Sequence, residues 1–74
     1  MLTPQSSHAL KQQAAAFQAK AEKHARWGMI LANAEEADIA GEHLGRAERY
    51  AEIADALHSA AHVVANAERD RRAA

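Results

Sequence analysis

The sequence predicts an all-α fold: an antiparallel helical hairpin with an alternating large/small, Ala-rich seam, dimerising into a four-helix bundle. Three observations predict it. Residues step by three and four along two stretches, Leu10, Ala14, Phe17, Ala21, His24, Gly28, Leu31 and then Ala40, His43, Ala47, Tyr50, Ala54, Leu57, Ala61, Val64. That spacing holds each run on one stripe of a helix. Within each run a bulky side chain follows a tiny one, so two stripes can close antiparallel with large facing small. The chain also carries 21 Ala in 74 residues against one Pro, and Ala has the highest helix propensity.

Helix 1 is expected over about residues 4–36. Thr3 can cap free backbone N–H groups, and Pro4 is tolerated at a first helical position. Only Gly28 interrupts the helix formers. It falls on a small seam position, where close helix approach offsets about 1 kcal/mol of lost propensity. Glu22 and Arg26 form a supportive i,i+4 pair.

Two signals compete for the turn. Asn33 can cap a second helix, with Glu36 reaching back as a capping box and Glu35, Glu36 and Asp38 suiting its first turn. Gly41, with Gly45 behind it, is a natural residue for a helix C-terminus. Pairing Leu57 over Ala21, Phe17 over Ala61 and Tyr50 over Gly28 arbitrates. Each pair of numbers sums to 78, which centres the hairpin near residue 39. The turn is therefore expected within 37–42. Helix 2 then runs over about 42–71, with Arg69, Arg71 and Arg72 complementing its C-terminal dipole. Residues 1–74 form a single helical-hairpin domain.

Size argues for self-association. Beyond Ala, only fifteen apolar residues remain. Burying each fully contributes roughly 1.5–3 kcal/mol, against ordering costs of about 1.5 kcal/mol per residue. A lone hairpin buries only part of that surface and is marginal. The expected partner is a second copy, making a homodimer.

Composition narrows the function. Without Cys the chain has no disulfide framework and no thiolate nucleophile, which suits the cytoplasm. The longest apolar run, Met29-Ile30-Leu31-Ala32, is far below the ~20 residues of a membrane span. The start, Met1-Leu2-Thr3-Pro4, lacks the basic and apolar regions of a signal peptide. Net charge is −1, but residues 1–34 sum to +3, 35–57 to −5 and 58–74 to +1. A hairpin would thus be acidic at its turn and basic where its ends meet. The chain as a whole is not basic, so nucleic acid is not an expected partner.

A second apolar surface lies off the seam: Trp27, Ile30 and Ala34 on one helix, Ile53, Ala56, Ala60 and Val63 on the other. A lone hairpin leaves these wet. An exposed Trp beside Ile is a common interface signature, so Trp27, Ile30, Ile53 and Val63 are the expected anchors, with Tyr50 partly in the seam.

Residues for chemistry are few. There is no phosphate loop, Ser elbow or Cys nucleophile, and no enzymatic activity or cofactor is expected. Asp55, His58 and His62 share one helical flank at metal-ligand spacing. They point away from the seam centre, so a solvated flank is the simpler reading and no metal is expected. His24 and His43 occupy bulky seam positions, where a His is more often a partly buried core residue than a ligand. Acid would charge them and loosen the bundle.

In architecture the chain resembles the small dimeric helical hairpins of the Rop type, although no specific motif matches. Leu44-Gly45 with Tyr50, Ala54 and Leu57 resembles part of a tetratricopeptide unit. The spacing departs from that pattern, and solenoids need about three copies where this chain has one. Neither resemblance assigns a functional residue. The expected function is non-enzymatic: a self-associating helical protein that binds a macromolecular partner as adaptor, regulator or inhibitor. The alternative is a ligand- or metal-binding bundle. Its pocket would lie between subunits, lined by His24, Tyr50, His58, His62, Arg46 and Arg49.

Overall fold

Two antiparallel helices make up the described residues. The structure, a computed structural model, describes residues 6–73, with α1 at Ser7–Asn33 and α2 at Ala37–Ala73. The proposed start at Thr3-Pro4 lies outside the described residues. Ser6 caps α1. Its backbone is extended (φ −69°, ψ 159°), and its hydroxyl oxygen accepts the Ala9 N–H at 3.1 Å. A Ser side chain thereby satisfies one of the free donors that every helix N-terminus leaves.

The turn occupies residues 34–36, not 37–42 as the seam pairing implied, and α2 begins at Ala37 rather than near residue 42. Its hydrogen bonds explain why no glycine is needed. Glu35 takes the left-handed conformation (φ 64°). Its N–H donates to the Ala32 carbonyl at 3.1 Å, and the Glu36 N–H donates to the Leu31 carbonyl at 2.8 Å. This is a Schellman motif with Glu where Gly is usual. The Glu36 carbonyl then accepts the Ala40 N–H at 2.9 Å, so the residue that closes α1 also opens α2. Asp38 lies in the first turn of α2 and Arg71 and Arg72 in its last, the arrangement the helix dipole favours.

The seam residues do face the opposite helix, but in a different register from that expected. Ala14, Ala21 and Gly28 of α1 and Ala40, Ala54 and Ala61 of α2 are buried. Every larger seam residue is only half-buried, and among the described residues no large side chain is fully enclosed. The expected pairing of Tyr50 with Gly28 and Phe17 with Ala61 does not occur. Tyr50 instead lies against Phe17, with ring centroids 5.9 Å apart. Gly28 faces Leu44, whose Cγ and Cδ2 lie 2.7 Å from where a Cβ would stand. Small residues thus line the helix contact, and bulky ones sit beside each other along its flank.

At the open end, Glu68 extends the α2 small-residue stripe by one heptad beyond Ala61. A hydrogen bond from the Ser7 hydroxyl is the main influence holding its carboxyl below the ordinary carboxylate range. The Ser7 N–H and the charges of Arg72 and Arg71 add to it, against partial burial. The molecule is a slab with Cα extents of 59 × 24 × 13 Å, one helix layer thick. Among the described residues no helix is long and apolar enough to cross a membrane.

Candidate functional site

The bulky seam residues gather on one broad face of the slab. Phe17, His24, His43 and Tyr50 form its centre, each half-buried. They converge because they sit three residues after the small seam positions Ala14, Ala21, Ala40 and Ala47, and so point to one side of the helix contact. The Tyr50 ring lies between Phe17 and His24, whose centroid is 5.5 Å away with planes inclined at 22°.

His24 and His43 meet directly. Their Nδ1 atoms are 3.0 Å apart, while the ring centroids are 5.2 Å apart with planes at 28°. The centroids are farther apart than the nitrogens by about the sum of two ring radii. The rings therefore meet nitrogen to nitrogen, in the plane, as a hydrogen bond requires. One ring must carry a hydrogen on Nδ1 and the other a lone pair there. Burial is the largest influence lowering the pKa of His24 from its ordinary value. The positive charges of His43, Arg46 and Lys23 lower it further.

Cations border this centre. The Lys20 ammonium lies 5.2 Å from the Phe17 ring centroid and 5.8 Å from that of Tyr50, within cation–π range. Arg46, Arg49, Tyr50 and Ile53 line a shallow depression of about 320 Å³. Lys20 was not singled out from the sequence. Its position three residues after Phe17, on the same helical flank, was the available signal.

Of the expected ligand residues, the structure brings His24, Arg46, Arg49 and Tyr50 to one region. His58 and His62 do not join them: both are exposed and one to two heptads farther along α2. Within one hairpin, four of the six residues expected to line a pocket between subunits therefore share a region. Asp55, His58 and His62 are all exposed. Among the described residues no three His, Asp or Glu side chains are grouped to hold a metal.

The off-seam anchors are exposed: Trp27 at 49%, Ile30 at 55%, Ile53 at 41% and Val63 at 67%. Trp27 is one heptad after Lys20, and Ile53 one heptad after Arg46, so both flank the aromatic face. Ile39, exposed and one heptad before Arg46, extends the same flank toward the turn and was not among the expected anchors. Val63 stands ten residues beyond Ile53, about 15 Å along the helix. It does not continue the Trp27 strip. On the other side of the seam, Ala21, Ala25, Leu44, Ala47 and Ala51 floor a wide groove of about 430 Å³ edged by Glu22 and Glu48.

No known protein family matches this chain, nor does any curated protein or solved structure.

Proposed function

We propose that the protein is a non-enzymatic helical hairpin that pairs with a second copy through its aromatic face and, so assembled, binds a macromolecular partner. The observation that carries this reading is the unfinished core. Domains need two packed layers, and this chain supplies one, leaving Phe17, His24, Tyr50, Leu57 and Val64 half-covered beside an exposed Trp27. The slab's 59 × 24 Å outline is a footprint of ~1,400 Å², against ~800 Å² per partner in a standard interface. Charge favours antiparallel packing. It lays the acidic turn end of one copy, with Glu35, Glu36, Asp38 and Glu42, over the basic end of the other, with Arg69, Arg71 and Arg72.

Trp27→Ala tests the reading. Truncating a buried interface Trp commonly costs 2 kcal/mol or more, and a symmetric dimer loses two, so the variant's dimer dissociation constant should rise about a thousandfold with helix content preserved in the assembled state. A dilution series by sedimentation and circular dichroism reads both quantities. An ~8 kDa monomer at micromolar concentration with full helicity would exclude the self-association.

A second reading rests on the depression beside Tyr50. Arg46 and Arg49 at its edge, with Lys20 nearby, suit a small anionic ligand. A thermal shift with an anionic metabolite, abolished in Arg46→Gln, supports that reading; no shift with any anion supports the interaction module.

A further inference from the structure

We propose that self-association is gated by pH through the hydrogen-bonded His24–His43 pair at the centre of the aromatic face. The proposal rests on the reading that this face receives a second copy. With both rings neutral, one Nδ1–H donates to the other Nδ1 across 3.0 Å. A first added proton can sit on an outward Nε2 and leave that bond intact. A second places hydrogens on both facing nitrogens, so the bond is lost and two cations confront each other.

The groups facing the pair do not relieve this. From α1 they are Lys23 and, over the neighbouring rings, Lys20. From α2 they are Arg46 and the Tyr50 ring, with Arg49 beside Tyr50 in the neighbouring depression. The charges acting on His24 are all cationic.

Covering the face with a second copy removes water from the pair and deepens the penalty on its charged forms. The assembled state therefore binds protons less readily than the free hairpin. The sign follows by linkage: assembly is strongest where the pair is neutral, above the ordinary His value of about 6.5, and weakens as pH falls below it. Each proton excluded from the assembly weakens it by about tenfold per pH unit in that range. Because the two rings interact, the transition belongs to the pair and not to either residue.

The experiment is sedimentation of the full chain at pH 7.5, 6.0 and 5.0. It compares wild type, a His24→Leu/His43→Leu double variant and a His58→Gln/His62→Gln control. Leu already fills the equivalent bulky seam positions Leu10, Leu31 and Leu57. The expected result is a dissociation constant at least tenfold higher at pH 5.0 than at 7.5 for wild type and control, and a pH-independent one for the double variant. A wild-type assembly indifferent to pH overturns the gate while leaving self-association standing. A double variant that still comes apart in acid overturns it equally. A wild-type monomer at pH 7.5 overturns both. NMR titration of the wild-type imidazoles does not depend on how the variant folds. The His24 titration should move to lower pH as protein concentration rises. A His24 titration unaffected by concentration would refute the proposal.

Discussion

Replacing Gly28 with Ala should destabilise the hairpin, although the same change at Gly41 or Gly45 should stabilise it. All three glycines lie inside α2 or α1, where Ala is favoured over Gly by about 1 kcal/mol. They differ in what a Cβ would meet. At Gly41 and Gly45 nothing lies within 4 Å, so the propensity gain is expected in full. At Gly28 the new carbon would stand 2.7 Å from Leu44 Cγ and Cδ2 and 3.4 Å from the Ala40 carbonyl oxygen. Leu44 would have to retreat by about 0.7 Å to reach ordinary contact, and the carbonyl behind it belongs to the backbone of α2. Overpacking of this kind costs roughly 1–3 kcal/mol, which outweighs the propensity gain. Because Leu44 is partly exposed and can swing outward, the cost falls in the middle of that range, about 2 kcal/mol, and not at its top, so a net loss of about 1 kcal/mol is expected. The gap between Gly28→Ala and Gly45→Ala is then about 2 kcal/mol, or some 8–16 °C in Tm for a domain of this size. Thermal and urea unfolding by circular dichroism, at one fixed protein concentration, measures it. Leu44→Ala in the Gly28→Ala background should recover much of the loss through a coupling energy between the two sites. A Gly28→Ala variant as stabilised as Gly45→Ala would mean that the helices do not approach closely at this point.

Other substitutions test the turn and the seam. Glu35→Gly should raise stability by up to about 1 kcal/mol, because a non-Gly residue at φ 64° is strained; an unchanged or lower urea midpoint would argue against the Schellman turn. Ala54→Leu should lower Tm well below that of Ala19→Leu, since Ala54 is fully buried and Ala19 exposed. Overpacking costs about 1–3 kcal/mol while Leu and Ala differ little in propensity, so equal melting temperatures would refute the assigned stripe.

The two-helix architecture and the identity of the contact stripe were legible in the sequence. Spacing by three and four leaves one face of a helix no alternative, and every seam residue named from it is buried or half-buried. Hence the candidate face was partly legible too: His24, Tyr50, Arg46 and Arg49 emerged from position and charge alone. The turn was not, because the pairing rule assumed that large sits over small. Contact between Ala- and Gly-lined stripes instead lets two backbones approach and displaces the large side chains together to one flank. This register centres the hairpin near residue 35 instead of 39. Nor does sequence show that a Glu will take a left-handed conformation. The two hydrogen bonds it permits, to Ala32 and Leu31, are made by backbone groups that every residue type carries, so the side chains do not announce them. The His24–His43 contact had the same origin. Each His was visible as a bulky residue on its own stripe, but which residues meet across a hairpin depends on where the chain reverses, and only the tertiary structure decided that.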